Sequence, residues 1–491
     1  MGTTVREDTR LSLWRRVRAY AVPPSMIETA TARRLVGDWA GACAAAGVDL
    51  DLTPRTLART HGATTAARVR ADLRRLAPDL LRWHLPRTAP DGLLRPGLTV
   101  TLAVYDDGGG GTPVHLVART APARADAGQR ISLALWDGRH RGGGHAPAAH
   151  PHPHPDRRFR LDLHRHLWDT TRAGELRTRS GADRLPALPA DPDGPQGPGW
   201  AVDRWAAEAR LLLAADGRDP DRRPDGPVLV RLGARHRLLL VPDPDGGVRT
   251  VSPDGERPSG GGTRGRSARA ERLPLLPDAA TWTPPDLALL RAGLLAPGDL
   301  HPLVAEALAP GHRPAPGTRP APGPDRVRTV ECRGATHRIG LVDGVLAPLD
   351  HDPAELRREA LLVALSGPPL PCLRAIDEAH RRPDCLDGVR ERLAHGDTAG
   401  ALAVVEALLG PGAALRDGPL RQALERAAER RVLYGLYRTG LRATGPDGVA
   451  EPPPPPVLDP GRPRPPRGRR GTVPTRRPQD RRDHPRQALA R

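Results

Sequence analysis

The stretch GVRERLAHGDTAGALAVVEALLG, residues 388–410, decides how this chain is to be read. Leu386, Val389 and Leu393 recur at helical spacing before its Gly396-Asp397 pair, and Leu402, Val405 and Leu409 recur the same way after it. Two apolar stripes divided by such a pair predict two helices joined by a sharp turn. Glycine takes positive φ after a helix without a Cβ clash, and the aspartate behind it caps the next helix with its carboxylate. Helices linked this closely pack antiparallel, and Gly400 and Ala401 are expected to permit their close approach. The segment TARRLVGDWAGACAAAG, residues 31–47, repeats the word GDxAGA at Gly37–Ala42, against Gly396–Ala401. Tetratricopeptide-like arrays are made of such hairpins, but nothing here recurs with their period of about 34 residues. The expectation is two isolated αα-hairpins at opposite ends of the chain.

Immediately upstream, VECRGATHRIGLVDGVLAPL (330–349) changes the apolar period to two, the signature of strands. Its core has relatives. Gln129-Arg130-Ile131-Ser132-Leu133, His236-Arg237-Leu238-Leu239-Leu240 and His337-Arg338-Ile339-Gly340-Leu341 share one pattern, and the later two are preceded alike by VRLGAR and VECRGAT. Alternating Ile and Leu facing a core, edged by a solvated arginine, explains the spacing as three related β-hairpins. A further strand is expected where Leu98, Val100, Leu102 and Val104 alternate with Thr99, Thr101 and Ala103, half-buried by that pattern.

The fold class these signals define is α+β. It comprises an N-terminal helical region, central and mostly antiparallel β-hairpins, C-terminal helical hairpins and a disordered C-terminal tail. The regions run 1–95 (helical, with the first αα-hairpin), 96–180 (β-rich), 200–252 (helix plus β-hairpin), 273–310 (helical pair), 327–445 (β-hairpin then helical bundle) and 451–491 (tail). In the first, Leu13, Trp14 and Val17 are expected to rest on a neighbouring surface. Ser25 with Glu28 reads as a capping box for the helix that Gly37 ends, and residues 54–85 read as helix interrupted at Pro78. Stretches 139–157, 180–199, 253–272 and 311–326 are rich in Gly, Pro, Arg and Asp and read as loops and linkers.

Composition excludes several activities. The 491 residues include 58 Pro, 53 Gly and one Phe, with no lysine or asparagine, so all 75 basic residues are arginine. That skew is what a very GC-rich genome imposes through codon choice, which discounts the formal charge of +18 as a sign of nucleic-acid binding. Without lysine there is no P-loop, no protein-kinase ATP lysine and no pyridoxal Schiff base. Asp377-Glu378-Ala379-His380 spells a helicase word, yet it fits a helix better, with i, i+4 pairs to Arg381 and Arg382. Asp350, Asp352 and Glu355 read as a helix start, with Asp352 as cap, Pro353 first and Glu355 third; His351 beside them reads as a lone exposed histidine. Cys43, Cys332, Cys372 and Cys385 contain no CxxC pair, which suits a reducing compartment and buried apolar roles; Cys385 falls in an expected first helical turn, where thiol pKa drops. No apolar run approaches a membrane span, and Arg15-Arg16 lacks the apolar region of a twin-arginine signal, so a cytoplasmic protein with no membrane partner is expected.

Two ligand-binding readings stand out. His145, His150, His152 and His154 precede FRLDLHRHL, read as a strand carrying Asp162, His164 and His166 on one face. Drawn from these, His150, His152, Asp162, His164 and His166 form a zinc-type donor set. The tail carries eleven arginines against four acids, a net +7, and Arg467, Arg469, Arg470, Arg476, Arg477, Arg481 and Arg482 are its candidate phosphate contacts.

The phrases VPPSMIETATARR (22–34), LAPDLLRWHLPR (76–87), HRIGLVDGVLAPLDHDPAE (337–355) and AIDEAHRRPDCLDGVRERL (375–393) resemble an uncharacterised family from GC-rich, actinomycete-type bacteria. The resemblance covers most of the chain apart from linkers and tail, and brings no activity or catalytic residue with it. The functional expectation is a cytoplasmic, non-catalytic scaffold or adaptor that binds another protein. Its alternatives are a nucleic-acid-associated protein using the tail, and a metal-binding protein or enzyme using the histidine cluster.

Overall fold

The computed structural model describes residues 10–106, 112–125, 129–138, 150, 152–183, 199–217, 227–233, 236–242, 248–251, 273–312, 328–332, 334–342, 345–364, 370–381, 386–410 and 414–439. Its longer helices are α1 (Pro24–Leu35), α2 (Trp39–Ala45), α3 (Pro54–Arg75), α4 (Pro78–His84), α5 (Val202–Ala215), α6 (Pro285–Arg291), α7 (Pro302–Leu308), α8 (Pro353–Ala364), α9 (Pro371–Arg381), α10 (Leu386–Ala394), α11 (Thr398–Leu409) and α12 (Pro419–Arg438). Strands β1 (Val48–Leu50), β2 (Thr99–Tyr105), β3 (Val114–Thr120) and β4 (Ile131–Trp136) form a sheet ordered β1-β4-β3-β2. Two three-stranded antiparallel sheets follow: β5 (Val228–Arg231), β6 (Arg237–Pro242), β7 (Val248–Val251), and β8 (Arg328–Cys332), β9 (Ala335–Val342), β10 (Val345–Pro348). The fold is α+β, as the sequence pattern predicts. The three related strands β4, β6 and β9 lie in three different sheets.

The first sheet extends into the region expected to be all helical. Val48 and Leu50 pair in parallel with Ile131 and Leu133, making β1 an edge strand that a three-residue apolar alternation is too short to announce. One core then runs through α3, α4, the sheet, Phe159–Leu176 and α7, across three of the sequence regions. β2 is buried on both faces rather than half-buried, with Thr99 and Thr101 1% exposed. The backbone of residues 152–163 lies along it: the Asp156 and Asp162 amides donate to the carbonyls of Thr99 and Thr101. Residues 152–167 are turns with a 3₁₀ turn at Arg165–Leu167, not the strand expected for FRLDLHRHL: only a single bridge, Thr101 to Arg160, forms against β2.

Leu13, Trp14 and Val17 are buried against Ile27, Trp83 and Leu289, as their apolar pattern requires. The helix behind them starts at Pro24 with Pro23 in the cap position and no side-chain cap. Two prolines that already fix φ begin it one residue before Ser25, so the expected capping box is unused.

Both GDxAGA words form the same turn. Gly37 and Gly396 take φ of +79° and +85°, and Asp38 and Asp397 each accept from the amide of the glycine three residues on. Arg33 and Arg392, five residues before their aspartates, pair with the same carboxylates. Gly400, expected to permit close helix approach, makes room for the capping carboxylate, as Gly41 does in the first word. A Cβ at Gly41 or Gly400 would occupy the space of the capping carboxylate itself. Gly400→Ala therefore gives no net gain in the wild-type chain: about 1 kcal/mol of helix propensity is offset by about 1 kcal/mol of lost cap. In an Asp397→Ala background the same change stabilises by about 1 kcal/mol, a sign of coupling that denaturant melts of the four chains measure.

Helices α10 and α12 seat on the N-terminal region. Arg16 pairs with Glu391, Tyr434 donates to Asp49 at 2.6 Å, and Arg438 pairs with Asp51. The arginine that edges each related strand is engaged in two of the three: Arg130 holds Asp49 and Arg338 holds Asp350. β5–β7 rests on Trp205, Ala209, Leu212, Leu213, Leu276 and Ala280. Among the described residues beside β8–β10, Cys332, Leu370 and Cys372 form a buried cluster, and Ile339 and Ile376 are buried as well.

Candidate functional site

The five residues of the predicted zinc set fall into different surroundings. His150 has both ring nitrogens facing backbone carbonyls, Nδ1 toward His152 and Nε2 toward Thr120, each at 2.9 Å; burial lowers its pKa. His152 is exposed. Asp162 is held by Arg160 at 2.8 Å. His164 and His166 do come together, with ring centroids 5.8 Å apart. His164 donates from Nδ1 to the Arg160 carbonyl and sets Nε2 3.2 Å from Glu208. His166 is kept neutral by burial and by the nearby His164, Arg179 and His84, and its Nδ1 has no hydrogen-bond partner.

His164, with His166 beside it, belongs instead to a set of buried carboxylate–imidazole pairs. Among the buried carboxylates of the described residues, three stand opposite an imidazole: Asp79 and His301 at 2.9 Å, Glu208 and His164 at 3.2 Å, Asp286 and His84 at 3.9 Å. Arg179 clamps Glu208 through two nitrogens at 2.5 and 2.7 Å, and Trp83 donates to Asp286 at 2.7 Å. Burial alone would raise the Glu208 pKa, but the bonds from His164 and Arg179 prevail and hold it at about 2; in Asp286 burial prevails and raises it. The cavity lined by His84, Trp14, Phe159 and Asp278 measures about 20 Å³, room for one water and no larger ligand. These pairs tie α4 to α6 and to the start of α7, and α5 to the 164–179 segment.

The sharper constellation lies in the last sheet. Among the described residues, one set of three metal-ligating side chains has its ligand atoms all within 4.8 Å of one another: Cys332, His351 and Cys372. Cys332 closes β8 at a tight hairpin, paired with Ala335, where Gly334 takes φ +80°. His351 lies in the turn before α8, and Cys372 in the first turn of α9 behind Pro371. Both cysteines are 0% exposed and the His351 side chain 3%, so His351 is not the exposed histidine its sequence context implies. Asp352 caps α8 by accepting from Ala354, as expected, but Glu355 turns to His351, with Oε2 3.2 Å from Nδ1. That leaves Nε2 of His351 buried without a hydrogen-bond partner. His337 stacks on the His351 ring at 4.1 Å. Burial and the neighbouring Cys332 push the Cys372 thiol up to about 11. No local motif marks this set, since its members stand 19 and 21 residues apart, and the helix-start pattern around His351 gives no sign of it.

Asp377–His380 lies on α9, so the helicase word is helical. Cys385, the side chains of Asp377, Glu378 and His380, residues His145 and Pro151, and the tail with its seven candidate arginines lie outside what is described. No helix among the described residues is long and apolar enough to cross a membrane. Compared with known proteins, the chain matches no family model, no curated protein and no solved structure.

Proposed function

We propose that the chain is a non-catalytic scaffold or adaptor that binds another protein through the tip of its first helical hairpin. The observation that carries this reading is the contrast between two copies of one device. In the second hairpin, the residue before Gly396 is seated on the body of the protein: His395 is 1% exposed, its carbonyl accepts from Arg82 at 2.7 Å, and its Nε2 meets the Asp91 carbonyl at 3.0 Å. In the first hairpin the two residues before Gly37, Leu35 and Val36, are 78% and 79% exposed. Adjacent apolar side chains so open to water are a contact surface in waiting. A GDxAGA tip is thus an element this chain already uses for docking, and one copy remains open.

The test is a photo-crosslinking amino acid at position 36, activated in the native host. A single discrete adduct with a second protein is expected, lost when Leu35→Asp is added while the melting temperature of the purified chain stays within a degree or so. Surface changes of this kind shift stability by no more than about 0.5 kcal/mol. Absence of any adduct, or an adduct unaffected by Leu35→Asp, rejects the reading.

A further inference from the structure

We propose that Cys332, His351 and Cys372 bind one zinc(II) ion that pins the β8–β10 sheet to helices α8 and α9. The donors are two thiols and an imidazole drawn from a strand end, a turn and a helix start, all closed off from solvent. Thiolate and imidazole are the ligands a borderline-soft, tetrahedral cation selects, and the described residues supply three of its four places. Glu355 completes the logic of the imidazole. A carboxylate at Nδ1 fixes the tautomer that leaves Nε2 with its lone pair, and Nε2 is the nitrogen found buried and without a partner. Backbone amides at the start of α9 add positive potential where Cys372 sits.

Two cysteines buried side by side could also join as a disulfide; here a third donor, oriented by its own carboxylate, favours the metal.

The experiment uses the full-length chain, stripped with a chelator and titrated first with cobalt(II) and then with zinc(II). One cobalt per chain is expected, giving sulfur-to-cobalt charge-transfer bands and tetrahedral d–d bands that an equivalent of zinc abolishes. These bands survive in Cys43→Ser and in the His150→Ala, His152→Ala double variant, and disappear in Cys332→Ser and Cys372→Ser. Should the last two variants not fold, thiol counting on the wild type decides. Cys332 and Cys372 should be unreactive toward a thiol reagent in the zinc-loaded chain and become reactive on adding chelator, while Cys43, 2% exposed in the first core, stays unreactive in both states; mass spectrometry of the labelled peptides tells them apart. A chain that shows no thiolate–cobalt bands, bands that persist in folded Cys332→Ser, or Cys332 and Cys372 recovered joined as a disulfide from cells, would each overturn the proposal.

Discussion

Arg82→Met is expected to cost at least about 4 kcal/mol and to release the C-terminal hairpin from the rest of the molecule. Arg82 is 1% exposed, in the last turn of a helix in which every residue from Pro78 to His84 is buried. Its nitrogens donate to the carbonyls of Ala21 at 2.9 Å, Gln129 at 2.6 Å and His395 at 2.7 Å. One side chain therefore satisfies the chain end before α1, the start of β4 and the tip of the second GDxAGA hairpin. Methionine matches the length and apolar bulk of the stem but leaves those carbonyls buried without donors, at about 1–3 kcal/mol each. Arg82→Lys should recover little, because a single ammonium cannot point in three directions held by a planar fork. The measurements are denaturant unfolding for the total, and amide exchange in residues 386–410 for the local effect, where protection should fall more than in β2–β4. A loss below about 1 kcal/mol in Arg82→Met would contradict this account.

Arg82 also shows where sequence reading stops. The helix Pro78–His84 is visible from Leu80, Leu81 and the leading proline, and the hairpin turns are visible because cap chemistry is local: Gly396 and Asp397 act on amides within three residues. Burial of Asp79, Arg82 and His84 is not visible. A reader places charged residues outside, and only the tertiary fold reveals that loop carbonyls and imidazoles converge on that helix from hundreds of residues away. The candidate metal centre fails to announce itself for the same reason. Cys332, His351 and Cys372 come from three elements, and the antiparallel order of β8, β9 and β10 followed by two helices is what folds them to one point. The His150–His166 pattern misleads in the opposite way, since repeated histidines in one short stretch look like a ligand set. Yet the backbone of 152–163 is spent on β2, which turns His150 to carbonyls and His164 to Glu208.

Glu208→Gln is expected to destabilise the protein by about 3–5 kcal/mol near neutral pH, with the loss vanishing in acid. Glu208 is 3% exposed on α5 and accepts from Nε and Nη2 of Arg179, itself 14% exposed, with Nε2 of His164 3.2 Å away. Removing the carboxylate charge strands a guanidinium in a nearly dry site, which is costlier than never having had the pair. The pH dependence supplies an independent magnitude. The carboxyl is held at about 2 against an ordinary value of 4.5, a difference of about 2.5 units or about 3 kcal/mol. Because the folded value is the lower one, the stabilisation is fully present above about pH 4.5 and disappears as pH falls toward 2. The difference in unfolding free energy between wild type and Glu208→Gln should accordingly be flat from neutral pH down to about 5, then shrink steadily, while the many other carboxyls titrate equally in both chains and cancel. A difference that stayed constant into acid would mean that the side-chain amide disturbs packing around α5 rather than removing a charge, and that Arg179 finds another acceptor.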